Sequence, residues 1–172
     1  VDMEILKILY ENGRESLVDI GKKVGLTHPS VRERLNRLTR DGVVRIQANI
    51  NLGKLDYVVG FVTFEVTDPN ALTEFTRQLS RCPRVLLIGF TSGNFNLALM
   101  VVAKDIDMLR AFIEKNIRSH SFARNISVGI GKIVHPQYMP IQLRTPKECM
   151  EMCQQCVFRE KLGICPGCMS MI

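Results

Sequence analysis

Long apolar runs are missing from this 172-residue chain: no stretch is both apolar and charge-free over the roughly 20 residues that a bilayer-spanning helix needs. A membrane-spanning helix is excluded. An export pattern is missing too, because no basic start leads into an apolar run and a small-residue cleavage site. The expectation is a cytoplasmic protein with no membrane partner, although the chain begins at Val1 rather than Met. Nor is there a tail of one charge. Residues 1–50 carry nine Lys or Arg against seven acids, residues 51–140 ten against seven, and residues 141–172 four against three. The net +6 favours polyanionic partners such as nucleic acid without identifying one. The informative feature is local: Arg32, Arg34, Arg37 and Arg40 fall within nine positions. Cysteine is scarce through most of the chain and then abundant, with five of the six in the last 24 residues. Six cysteines in a small secreted chain suggest disulfides, but crowding at one end of a chain with no export pattern points first to metal.

A content of 46% hydrophobic and 23% charged residues is ordinary for a globular protein, and the length suits two small domains. In the first fifty residues Ile5, Leu6, Ile8 and Leu9 have helical spacing and stop at Gly13. Ser16 is a natural N-cap for a second, short helix whose apolar stripe is Leu17, Ile20 and Val24, ended by Gly25. After a three-residue turn, Thr27 caps a third helix with Pro29 in its first turn, and Val31, Leu35 and Leu38 form its buried face. Pro29, Ser30, Glu33, Asn36, Arg37 and Arg40 then lie opposite that stripe, with Arg32 and Arg34 flanking it. Helix, short turn and a second helix with an exposed basic and amide face is the geometry of a recognition helix entering the major groove of double-stranded DNA.

Arg can donate two bonds to guanine, and Asn can exchange two with adenine. Lys22, Lys23 and Arg45 better suit phosphates. The candidate DNA-binding set is Lys22, Lys23, Thr27, His28, Ser30, Arg32, Glu33, Asn36, Arg37, Arg40 and Arg45. Arg34, beside the apolar stripe, is open between an intramolecular ion pair and a DNA contact. The alternating GVVRIQANI that follows predicts a wing strand.

From Tyr57 the pattern changes. YVVGFVTFEV is a strand, Asp68-Pro69-Asn70 breaks it, and an amphipathic helix runs through Leu72, Phe75 and Leu79. VLLIGFT and NLALMVV meet as a hairpin across Ser92-Gly93-Asn94, a helix places Met108, Leu109, Phe112, Ile113 and Ile117 inward, and ISVGIGKIV is a last strand. The order β-α-β-β-α-β predicts a ferredoxin-like sheet with helices on one face, making the fold α+β. No catalytic motif decorates it.

The stretches DMEILKILYENGRES, LTHPSVRERLNRLTRDGVV and VLLIGFTSGNFNLALMVV, in this order, resemble the Lrp/AsnC, or feast/famine, family of transcription regulators over about residues 1–135. The resemblance implies a DNA-binding domain joined to a ferredoxin-like (RAM-type) domain. It implies homodimers formed through the latter, often assembled into octamers, that read a roughly palindromic operator. It also implies small effectors, commonly amino acids, bound near the turn that here reads TSGNFN. Gly93 permits a positive φ and a close backbone approach there, and Asn94 and Asn96 offer amide partners. Where the family usually has Asp this chain has Asn96, which removes a charge that could meet an α-amino group. Some proteins resembling this family are siroheme decarboxylase subunits, which use His and Arg around a tetrapyrrole. The alternative to a non-enzymatic regulator is such an enzyme, for which this chain has only His28, His120 and His135.

The family pattern ends near Val134, and Pro136, Pro140 and Pro146 mark an extended connector. Beyond it stand Cys149, Cys153, Cys156, Cys165 and Cys168, two CxxC pairs separated by eight residues with an additional thiol in front. Four thiolates so spaced can surround one tetrahedral metal, most readily Zn²⁺. CxxxCxxC also suits three ligands of a [4Fe–4S] cluster, and Met150, Met152, Met169 and Met171 add thioethers suited to copper(I). The expected division is therefore a winged helix-turn-helix at 1–50, an effector and oligomerisation domain at 51–135, a linker at 136–146 and a metal-binding module at 147–172.

Overall fold

The computed structural model describes residues 1–142. The five clustered cysteines lie outside the described residues. The chain divides into two compact units, Val1–Ala48 and a second beginning at Asn49.

The first unit is three helices, α1 (Asp2–Glu11), α2 (Leu17–Val24) and α3 (His28–Arg40). Their apolar stripes meet at Ile5, Ile20, Val31 and Leu35, all buried, with Ile8, Leu9, Leu17, Val24 and Leu26 packed around them. Each fully buried aliphatic side chain contributes roughly 1.5–3 kcal/mol of transfer free energy, enough to outweigh the weak intrinsic stability of helices this short. The Ser16 hydroxyl accepts from the Asp19 backbone N–H at 3.1 Å and caps α2. Gly25 ends that helix in the left-handed region at φ 71°, where a side chain would be strained. Gly21 has a different role: a Cβ there would stand 2.5 Å from the Leu26 carbonyl oxygen, so α2 and the turn into α3 approach at a point with no room for a side chain.

Two expectations for this unit need correction. Thr27 occupies the N-cap position of α3, but its side chain caps no backbone N–H and instead meets Ser30 Oγ at 3.0 Å. The wing strand predicted from GVVRIQANI is not formed among the described residues. After α3 the backbone N–H groups of Val43 and Val44 both bond the Leu38 carbonyl, and the chain then runs without regular structure to Ala48. The alternation misleads because a strand needs a partner, and Val43 and Ile46 are 66% and 57% exposed rather than packed on the helices.

In the second unit, β2 (Val58–Val66), α4 (Pro69–Ser80), β3 (Val85–Phe90), β4 (Leu97–Ala103), α5 (Ile106–Ile113) and β5 (Ala123–Gly131) follow in the expected order. The sheet order is β3-β4-β2-β5 with every neighbour antiparallel, which is the ferredoxin-like arrangement. Asp68 and Asp105 cap the two helices by accepting from Asn70 N at 2.9 Å and Met108 N at 2.7 Å. Alternate residues of β2 and β4 (Val62, Phe64, Leu97, Leu99 and Val101) form one core with Phe75, Leu79, Met108, Leu109, Phe112 and Ile117 of the helical layer. A wider, π-type turn at Glu114–Arg118 finishes α5 and keeps Ile117 inward.

The opposite sheet face carries a smaller cluster, Leu52, Tyr57, Val59 and Val102, with Met139 and Ile141 packed against it. Here the expected linker is corrected. Tyr138–Met139 is a strand, β6, antiparallel to Ile50–Asn51, β1. Prolines at 136 and 140 are compatible with a short ribbon of this kind, and apolar burial of Met139 and Ile141 ties residues 138–141 to the second unit. Among the described residues no helix is long and apolar enough to cross a membrane.

Candidate functional site

Burying Val31 and Leu35 fixes which side of α3 faces outward. Arg32, Glu33, Asn36, Arg37 and Arg40 are exposed along it, with His28 and Ser30 half-buried near its start. Seven of the expected DNA-facing residues thus share one helix. Lys22 and Lys23 stand exposed on α2, and Arg45 is exposed in the irregular segment after α3.

The ion pairs separate these cations. Asp2, at the start of α1, accepts from Arg34 Nη1 and from Arg37 Nη2, each at 2.8 Å. Arg34 therefore takes the intramolecular role left open by its sequence position, and Arg37 is also held, though it remains half exposed. The Arg34 hydrogen bond, helped by the charges of Arg34 and Arg37, lowers the Asp2 carboxyl below its ordinary value, while desolvation works the other way. Lys22 pairs with Asp19 at 3.1 Å, and Lys23 donates to Glu15. The Lys23 contact lowers the Glu15 carboxyl and raises the Lys23 ammonium. Asp19 is lowered chiefly by the Ser16 hydroxyl and then by Lys22.

Arg32 leans on His28 Nε2 at 3.3 Å, and Arg40 makes only a longer 3.6 Å contact with the neighbouring Asp41. A phosphate approaching this surface must displace carboxylates from Lys22, Lys23 and Arg37, whereas Arg32 and Arg40 present their charge more directly. The sequence gives little warning of Asp2, since its partners lie 32 and 35 residues away. Gly21 also escaped the sequence reading; a glycine inside a helical pattern was the available signal.

The second candidate site is the 91–96 turn between β3 and β4. Gly93 adopts φ 107°, a conformation that side-chain-bearing residues avoid, and Asn94 is exposed. Thr91 N–H donates to the Asn96 carbonyl at 3.1 Å, and the Thr91 hydroxyl donates to the Phe95 carbonyl at 2.7 Å. Asn96 does not offer its amide outward, which corrects that expectation. Its Nδ2 donates to the Val66 carbonyl at 2.9 Å, and its Oδ1 accepts from the Val66 N–H at 2.8 Å. The side chain continues the β2–β4 ladder one step past the last backbone pair, Phe64 with Leu97.

The histidines have separate surroundings. His28 sits at the start of α3. His120 stacks on Phe122 with ring centroids 4.9 Å apart and meets the edge of Phe75 at 5.2 Å, and burial lowers its pKa. His135 is exposed after β5. Among the described residues no group of three or more His, Cys, Asp or Glu is placed to hold a metal ion.

A three-helix unit exposing a basic recognition helix, joined to a ferredoxin-like unit, defines the class: a DNA-binding transcription regulator with a second, separate domain. Two family models divide the chain the same way. One for winged helix-turn-helix DNA-binding matches residues 1–45, and one for the Lrp/AsnC ligand binding domain matches residues 58–130. An uncharacterised HTH-type transcriptional regulator of Pyrococcus abyssi is 32% identical over 115 residues, 66% of this chain and 72% of that one. Another from Bacillus subtilis is 30% identical over 139 residues, 80% of this chain and 97% of its own. The solved structure of an AsnC family transcriptional regulator from Agrobacterium tumefaciens aligns with TM-score 0.67 and 26% identity over 83% of this chain and 95% of that one. A Neisseria meningitidis transcriptional regulator solved as a complex with L-Met shares the fold, with TM-score 0.67 and 21% identity over 83% of this chain and 95% of its own. The chain belongs to the Lrp/AsnC family.

Proposed function

We propose that α3 enters the major groove of a roughly palindromic operator and that the protein acts there as a homodimer, assembling further into octamers, to regulate transcription. The observation that carries this reading is the outward row of Arg32, Glu33, Asn36, Arg37 and Arg40 on a helix anchored by Val31 and Leu35. Asn36 and Arg37 are the base readers, with Arg32 and Arg40 beside them. Lys22, Lys23 and Arg45 contact phosphate, as do Thr27, His28 and Ser30 at the helix start. Two-fold symmetry follows from a closed dimer reading two half-sites. The exposed apolar side chain of Phe61, 41% accessible on β2 opposite Gly129, supports the dimer, since two sheets can bury such groups against each other.

In this reading a small-molecule effector binds at the 91–96 turn, where Gly93 takes a positive φ and Asn94 is exposed; a protein of the same fold was solved as a complex with L-Met. With the Asn96 amide committed to Val66, the ligand finds its partners at Gly93 and Asn94. In the same reading the cysteine-rich end is a metal centre that stabilises or modulates the regulator. The tetrapyrrole enzyme is not favoured: His120 stacks on Phe122 and meets Phe75, and the relatives reported above are transcriptional regulators.

Selection of a binding site from a random duplex pool tests the DNA reading. A two-fold symmetric consensus is expected. Arg37→Ala should lower affinity for it by about 1–3 kcal/mol, with specificity relaxed at one position of each half-site. Arg45→Ala should weaken all duplexes alike and shallow the salt dependence. Failure to enrich any sequence would sink the proposal.

A further inference from the structure

Arg34 and Arg37 share a carboxylate that comes from another helix. Asp2, at the start of α1, gives one oxygen to each guanidinium, both at 2.8 Å. The two arginines stand three positions apart on α3, so they rise from neighbouring turns and a single carboxylate can bridge them. Arg32 and Arg40 are placed differently. Arg32 meets the His28 imidazole at 3.3 Å, and Arg40 reaches the adjoining Asp41 at 3.6 Å.

We infer that Asp2 is a positioning residue for DNA reading: it holds Arg37 for a base edge and makes phosphate a poorer partner for it. This rests on the reading above in taking α3 as the helix that enters the groove. Arg37 remains half exposed and meets Asp2 through Nη2, so the N–H donors of its fork still include a pair for guanine N7 and O6. Holding the side chain in advance also lowers the cost of ordering it on the duplex.

Charge supplies the discrimination. Two guanidinium groups and one carboxylate leave the triad cationic, so Asp2 weakens its attraction for DNA without reversing it. A phosphate that closes on Arg37 also approaches the Asp2 carboxylate and is repelled, whereas a guanine edge carries no net charge and is not. Asp2 is half-buried, where water and salt screen less, and the Arg34 hydrogen bond above all holds its carboxyl below the ordinary value, so the charge is present at neutral pH. Lys22 and Lys23 face Asp19 and Glu15, but an ammonium is a point charge without a fixed fork, and those pairs tune phosphate attraction alone.

The test compares full chains of the parent, Asp2→Asn, Asp2→Glu, Arg37→Ala and the double variant carrying Asp2→Asn and Arg37→Ala. Anisotropy titrations use two duplexes: the consensus selected by the parent, and a scrambled duplex of equal length and composition. Asp2→Asn should bind both more tightly, the scrambled one more so, and the ratio of the two affinities should fall about tenfold. Selection repeated with this variant should relax the base position that Arg37→Ala relaxes. A folding defect cannot imitate that, because it lowers the active fraction without changing base preference. The double variant should show the ratio of Arg37→Ala, since Asp2 acts through that side chain, and Asp2→Glu, which keeps the charge, should recover most of the parent's ratio. An unchanged ratio in Asp2→Asn, relaxation spread evenly over the site, or an additive double variant would overturn the assignment. If the parent selects no consensus, the groove reading itself fails; if it selects one and Asp2→Asn keeps the parent's ratio, only the role of Asp2 is lost.

Discussion

Replacing Asn96 by Ala should destabilise the second unit by about 2 kcal/mol. The figure follows from two bonds: Asn96 Nδ2 to the Val66 carbonyl at 2.9 Å, and the Val66 N–H to Asn96 Oδ1 at 2.8 Å. Each contributes about 0.5–1.5 kcal/mol net, and a buried backbone group left without a partner costs about 1–3 kcal/mol. Asn96 is half-buried beside an exposed turn, so water can replace part of what is lost and the total lies toward the lower end. For a domain of this size that is a fall in Tm of roughly 8 °C or more.

Asn96→Asp separates hydrogen bonding from shape. An ionised Asp can still accept from the Val66 N–H, but it sets a carboxylate oxygen against the Val66 carbonyl where the amide now donates. That repulsion should raise the carboxyl pKa in the folded state above its unfolded value of about 3.9. An acid whose folded pKa is raised gives its stabilising contribution in full below the unfolded value and loses it as pH rises through the folded value. The Asp variant should therefore approach the parent at low pH and fall behind it toward neutrality, while the Ala variant is weaker at both. Urea denaturation followed by circular dichroism across pH 4 to 8 reads this directly. An Ala variant within about 0.3 kcal/mol of the parent, or an Asp variant with no added pH dependence, would refute the bracket.

Asp2→Asn should release Arg34 and Arg37, tighten binding to any duplex and steepen its salt dependence by about one phosphate contact; anisotropy titrations at several salt concentrations check this. In the parent, the stabilising effect of Asp2 is present above the ordinary carboxylate range and disappears as pH falls through its lowered folded value, a loss the variant should not show. Gly21→Ala should destabilise the helical unit by roughly 2 kcal/mol, because the atom it meets is the Leu26 backbone carbonyl and cannot rotate away; thermal melts would show a marked drop. His120, with its pKa lowered by burial, should make the second unit lose stability as pH falls below about 6.5, the unfolded value. His120→Phe should flatten that slope in urea titrations at pH 5 and 8.

Much of the fold was legible because its signals are local. The stripe of Val31 and Leu35, the Ser16 cap and the Gly25 stop act within a few turns of helix, so spacing alone orients α3 and exposes Arg32, Asn36 and Arg37, whereas Leu38, expected in the same stripe, is only half-buried. The period-two runs of β2 and β4 and the helical stripe from Met108 to Ile117 work the same way, and together with the breaks between them they give the order of the ferredoxin-like unit. The wing is instructive for the opposite reason. GVVRIQANI has a strand's alternation, but only its last residue, Ile50, pairs, and its partner Met139 lies at the far end of the second unit.

What the sequence determined by itself is the orientation of the recognition helix: that it buries Val31 and Leu35 and shows Arg32, Asn36 and Arg37. What tertiary structure decided is what those displayed groups are free to do. Asp2 takes hold of Arg34 and Arg37 across 32 and 35 residues, Asn96 closes on Val66 across 30, and Tyr138–Met139 of the expected connector pairs with β1. Periodicity records which face an element buries, because burial repeats every turn or every second residue. An ion pair or a strand partner is a single contact between distant segments, and it leaves no repeat to read.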